Sequence, residues 1–311
     1  MLAAAADTSH SKQTPDTAVG AFIRRHPLIA YFLLTDMVSW AMWLPLVAGA
    51  RGWLGTPIPF VVHYLGSLGP LLSALILTAF LDGRAGLRDL VGRMFKWRVG
   101  LSWVLVAGAS PVALFAVAAV LARVTGSPWP DFTRLGDMNY LPDLGIGALA
   151  LWIITFGFGE ETGWRGYALP RLQTRRSALA ASLMLAGLWV LWHVPSFLYL
   201  PSYTSLGVVG LVGLIIGIAS GSVFFTWLYN STRGSILMVA LWHGVFDFFT
   251  ASEATQAVAT IPAIMSVAIT VWATAIVVWA GPANLSRVAA QAPTPDSTPT
   301  PAGTPGTIRP S

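Results

Sequence analysis

Residues 177–232 contain no Asp, Glu, Lys or Arg. A stretch of that length without charge cannot face water on both ends of a soluble helix pair. It is long enough for two membrane crossings, since one crossing takes roughly 20 apolar residues. The run divides near Pro201–Ser205. Similar charge-poor blocks recur along the chain, which is 55% hydrophobic and only 10% charged, against about 25% charged in ordinary soluble domains. The blocks predict eight spans, at 28–49, 58–81, 99–122, 144–165, 178–199, 204–229, 235–251 and 258–281. They are too long and too uniformly apolar for transmembrane strands, which alternate. The expected fold is all-α: a polytopic membrane bundle of about eight transmembrane helices.

Charge placement orients that bundle. Fifteen of the eighteen Lys and Arg residues fall in alternate segments that include both termini. The other three, Arg51, Arg123 and Arg134, lie in the opposite set. Positive residues accumulate on the cytoplasmic side, so both termini are expected in the cytoplasm. The net charge of +5 is therefore a topology signal and not a sign of nucleic-acid binding; no basic stripe with interleaved aromatics is present. The partners expected are the lipid bilayer and a peptide or protein, and nothing in the sequence sets an oligomeric state. Residues 1–24 and 286–311 read as disordered tails, the second rich in Pro and Thr. Residues 25–285 read as one membrane domain. The absence of cysteine excludes disulfides and thiolate metal sites. Composition rich in Ala, Gly and Trp, with short loops, suggests a multi-pass protein of a bacterial cell membrane.

Three glutamates occur in 311 residues, and two are adjacent, Glu160 and Glu161, in GFGEETGWRGY. A charged side chain in the bilayer costs on the order of 3 kcal/mol. Glu161 has a helical i,i+4 partner in Arg165. Glu160 lies about 100° further around the helix and has no partner nearby in sequence. Other ionisable groups within the spans are Asp36, His63, His193, His243 and Asp247. His243 and Asp247 share a helix face, one turn apart. His193 precedes Pro195, where the helix must kink or end. His63 reads as interfacial, and Asp36 as a structural partner for a hydroxyl or an Arg. Two carboxylates, two histidines and an Asp on three separate spans are hard to explain as independent packing choices.

Such a set can activate water. A desolvated Glu is a competent general base, a His can orient water or move a proton, and a second His with an Asp can face a developing oxyanion. The Asp can donate there only if it carries a proton. Alternatively, zinc or another divalent metal could be held by Glu160, His193 and His243, assembled across helices because no HExxH motif is present. There is no GxSxG elbow, no P-loop and no dinucleotide fingerprint.

The segment Glu160-Glu161-Thr162-Gly163-Trp164-Arg165 resembles the EExxxR motif of the CAAX protease and bacteriocin-processing (CPBP, or Abi) family of intramembrane proteases. Trp189-Val190-Leu191-Trp192-His193 is similar to its FxxxH motif, and His243-Gly244-Val245-Phe246-Asp247 to its HxxxN/D motif. All three occur in order, each on its own span, within residues 145–250. The resemblance implies an intramembrane endopeptidase. Glu160 would activate water and His193 would help hold it; His243 and Asp247 would face the oxyanion; Glu161 and Arg165 would buttress the site. Trp189 departs from the family's Phe and adds an N–H donor; Asp247 stands where Asn is common. Prenylated CAAX proteins are substrates of eukaryotic relatives; a membrane-embedded peptide or a leader of a secreted peptide suits this chain better.

Two other readings use the same residues: a non-catalytic scaffold or immunity protein, and a proton-coupled transporter with Glu160 and Asp247 as relays. The filled motif positions argue against the first, and the lack of inverted repeats against the second. Span limits of 144–165 and 178–199 also put Glu160 and His193 about 12 Å apart in depth. They meet only if the fourth span is oblique or residues 166–177 enter the bilayer.

Overall fold

In lipid every backbone polar group must be satisfied within the protein, which leaves helices or closed barrels. The computed structural model of the chain describes residues 17–138 and 144–288, and among them every regular element is helical. It is a polytopic helical bundle, as the sequence predicts. Eight apolar segments stand where eight spans are expected: Pro27–Ala50, Val61–Met94, Leu101–Val124, 147–173, Ala178–Trp192, Val208–Ser231, Ile236–Ala251 and Thr260–Ala280. Five are helices long and apolar enough to cross a membrane; Ala178–Trp192 and Ile236–Ala251 are apolar but shorter.

Local chemistry sets the ends. Ser177 caps the fifth segment by accepting from the Ala180 amide at 3.2 Å, and Ser235 caps the seventh by accepting from Met238 at 3.3 Å. Such caps satisfy amides that have no partner within the helix. The second segment breaks twice. Val61–Gly66 is a separate short helix, and at Gly83 the backbone turns to φ 61°, ψ −153°, a conformation only glycine adopts readily. Beyond Gly83 the chain stays helical to Met94, so much of the expected loop 82–98 is a basic helix.

The tails are shorter than predicted where the structure describes them. Ala18–Arg25 is a helix capped by Thr17, so the ordered part starts before residue 25. At the other end Ser286 is buried and its Oγ lies 3.0 Å from Ser231 Oγ. The rest of both tails, 1–16 and 289–311, lies outside the described residues.

The fourth segment departs most from expectation. It continues past Arg165 to Gln173, with α-helical Gly147–Trp152, Gly159–Gly163 and Leu169–Gln173 alternating with π-helical Ile153–Phe158 and Trp164–Ala168. Trp164 through Pro170 are all buried. Arg165 does not mark a membrane surface, because its charge is matched internally. The consequence is geometric. Counted from the turn between Gln173 and Ala178, Glu160 lies 13 residues back and His193 15 residues on, so the shorter fourth segment from which the offset follows is not the one observed.

Candidate active site

The fourth and seventh segments approach closely because glycines face each other's backbones. A Cβ on Gly157 would collide with the carbonyl of Ala240, and one on Gly244 would lie 2.6 Å from Ile153 Cα. Small residues permit such crossings in membrane bundles. The approach carries His243 to Glu161: Nδ1 lies 2.8 Å from Glu161 Oε1. Glu161 also holds Arg165, whose Nη1 is 3.0 Å from Oε2. Glu161 and Arg165 are fully buried and His243 nearly so. This chain of charge and ring crosses from one segment to the other. Among the described residues the Arg165 Nε and Nη2 atoms have no hydrogen-bond partner. The guanidinium instead lies 5.1 Å from the Trp189 ring and 4.8 Å from that of Phe225, so aromatic faces receive its charge.

Glu160, which had no partner legible in the sequence, is held by two indoles. Trp189 Nε1 donates to its Oε2 at 2.8 Å, and Trp164 Nε1 donates to the same oxygen at 3.4 Å. His193 caps the fifth segment at the start of the 3-10 turn Val194–Leu198, where Pro195 ends the helix as predicted. Its Nδ1 is 2.7 Å from the Trp189 carbonyl. A carbonyl only accepts, so Nδ1 carries a proton, and in the neutral ring Nε2 is then the acceptor. His243 Nε2 lies 3.2 Å from Asp247 Oδ2. Glu160 and His193 both lie within electrostatic reach of His243 and Asp247. Thus the four polar residues Glu160, His193, His243 and Asp247 gather around one locus. Glu160 and His243 are its buried floor; His193 and Asp247 are partly exposed and form its open edge.

His63, read as interfacial, lies near the start of the second segment, and its side chain is buried. Its Nδ1 is 2.6 Å from Tyr199 Oη, and its ring stacks on Trp43 at 5.8 Å. Asp36 is half-buried on the first segment and has no hydrogen bond or ion pair among the described residues. Trp164, Phe225 and Tyr199 were not singled out by the sequence. Only Trp164, one helical turn from Glu160, had a positional signal.

A metal held by Glu160, His193 and His243 needs one ring nitrogen from each histidine. Both His243 nitrogens are engaged, by Glu161 and by Asp247. Among the described residues no three His, Asp or Glu side chains are grouped to hold an ion. The arrangement as it stands does not fit a three-ligand metal centre.

Comparison with known proteins bears out the resemblance carried by the three motifs. Residues 142–249 match the family described as type II CAAX prenyl endopeptidase Rce1-like. That range contains every residue of the locus. A curated relative, CAAX prenyl protease 2 of Methanococcus maripaludis, is 25% identical over 218 residues, covering 68% of this chain and 80% of the relative.

Proposed function

We infer that this chain, similar to the Rce1-like CAAX prenyl endopeptidases over the segment that carries its polar locus, is an intramembrane endopeptidase that uses Glu160 and His193 to activate water. The observation that carries the reading is the pairing of two acceptors joined through Trp189. Glu160 offers its Oε1, since Oε2 is taken by the indoles, and His193 offers Nε2. A water donating one hydrogen to each keeps its lone pairs for a peptide carbonyl. On attack, the water proton passes to Glu160, which later returns it to the leaving amine.

The oxyanion side is His243 with Asp247. Nδ1 of His243 is hydrogen-bonded to Glu161, and Nε2 stands 3.2 Å from Asp247 Oδ2 on the open side. A proton held on Nε2, or on Asp247, would be the donor to a developing oxyanion. An Asp can therefore serve where the family pattern often has Asn. The substrate we propose is a membrane-associated peptide or protein, reaching the locus from the side of His193 and Asp247. The test is cleavage of two quenched fluorogenic probes by purified protein: an apolar transmembrane peptide, and a peptide with a prenylated CAAX end, the class in the relative's name. Cleavage of neither would remove the reading.

No step in this scheme passes through a metal, and that is testable. Active protein should contain far less than one metal ion per chain, and chelation should have no lasting effect. His243→Ala should lower the rate by about 100-fold, the scale for losing an oxyanion donor, without changing metal content. Near-stoichiometric zinc that disappears in His193→Ala would instead establish a metal mechanism.

The orientation we propose follows the basic residues, with both termini cytoplasmic. Ser177 and Ser202 are exposed at opposite ends of the fifth segment and its following turn, and the chain has no cysteine. Cysteine at Ser202 should react with an impermeant reagent in intact cells; cysteine at Ser177 should react only after lysis. The reverse pattern would invert the topology.

A further inference from the structure

We propose that Trp189 is a positioning residue that sets both water-activating groups at once, Glu160 through its indole and His193 through its carbonyl. This rests on the endopeptidase reading above and adds a residue that acts through the other two. The indole Nε1 donates to Glu160 Oε2 at 2.8 Å, while the carbonyl of the same residue receives His193 Nδ1 at 2.7 Å. Glu160 belongs to the fourth segment and His193 to the end of the fifth. Their separation is therefore fixed by the dimensions of one tryptophan and one helical turn.

The chemistry of the indole suits this task. Its N–H is a donor only, so it cannot take a proton from water in competition with Glu160. By occupying Oε2 it leaves Oε1 as the oxygen that faces water. The ring is itself fixed. Arg165 lies 5.1 Å over it, and the His243 ring meets it edge-on at 5.6 Å. Trp189 thus touches the residues of both the water side and the oxyanion side. A phenylalanine at this position, as in the motif this segment resembles, would keep the ring packing and lose the bond to Glu160.

The test compares Trp189→Phe, and a benzothienylalanine residue introduced at the same position, with the wild-type chain in proteoliposomes. Benzothienylalanine has the shape of Trp with sulfur in place of N–H, so it controls for lost volume. The expected result is a kcat about tenfold or more lower in both variants, the scale of a hydrogen bond to a charged group, with KM within about twofold. His193 should be unaffected, because its partner is the backbone. Without any substrate, the indole 15N–1H signal of Trp189, identified by its loss in Trp189→Phe, should move in Glu160→Ala. Unchanged kcat in the benzothienylalanine protein, or an indole signal indifferent to Glu160→Ala, would overturn the proposal. If kcat is unchanged while Glu160→Gln is inactive, only the role of Trp189 fails. If Glu160→Gln is active, the assignment of Glu160 as the water-activating base fails with it.

Discussion

Glu160→Gln should abolish turnover, by about a thousandfold or more, while leaving the fold nearly unchanged. General-base catalysis contributes roughly 10²- to 10⁴-fold, and here the base also aligns the water. The substitution keeps the shape of the side chain, and the amide oxygen can still accept from Trp189 Nε1, which now reaches Oε2 at 2.8 Å. Glu160 makes no ion pair with Arg165; that partner belongs to Glu161. Thermal unfolding of the variant should match the wild type, and cleavage should vanish. Near-normal turnover on a probe that the wild type cleaves would show that another group activates water.

Glu161→Gln should behave differently, losing stability together with activity. Glu161 lies fully buried between Arg165 and His243. Removing one member of a buried charge group leaves the others uncompensated, at a cost of about 3–5 kcal/mol. Among the described residues the Nε and Nη2 atoms of Arg165 already lack hydrogen bonds, so it has no spare partner to turn to. His243 Nδ1 and Arg165 Nη1, which both reach Glu161 Oε1, would then share one neutral amide oxygen in place of a charged carboxylate, so the oxyanion side should loosen. Unfolding in detergent should shift to clearly lower temperature, and the surviving folded protein should cleave slowly. A Glu161→Gln protein as stable as the wild type would mean that this pair does not brace the seventh segment against the fourth.

The contrast between these neighbours shows what spacing along the chain can reveal. The pairs Glu161–Arg165 and His243–Asp247 are each one helical turn apart, so helix periodicity alone brings them together, and both occur in the structure. The bond from His243 to Glu161 joins residues 82 apart. It depends on Gly157 and Gly244 letting two backbones meet, and glycine spacing in a membrane helix does not say which neighbour it faces. Glu160 looked unpartnered because its partners are indole N–H groups, and tryptophan in a membrane protein reads first as packing or as an interface marker.

Span limits failed for a related reason. Arg165 and Arg171 suggested a membrane surface, yet Arg165 is neutralised inside the bundle, and Arg171 lies over the Tyr167 ring at 3.7 Å and pairs with Asp82 at 2.8 Å. Hydropathy registers charge but not whether it is matched. The two π-helical turns in the fourth segment have no sequence signature of their own; π-turns occur often at functional sites, and these flank Glu160 and Glu161. The Asp36 carboxyl, which periodicity placed in the first span, stays apart from the locus, so an intramembrane acid alone did not identify a site.

Cleavage of peptide bonds within the membrane is the activity proposed for the locus. The most direct measurement places purified protein in sealed liposomes and follows, in parallel, cleavage of the two quenched peptides and a proton-driven solute or pH change across the bilayer. New peptide termini should appear by mass spectrometry, dependent on Glu160 and His193, with no transport above protein-free liposomes. Proton movement that depends on Glu160 and Asp247, with both peptides left intact, would contradict it.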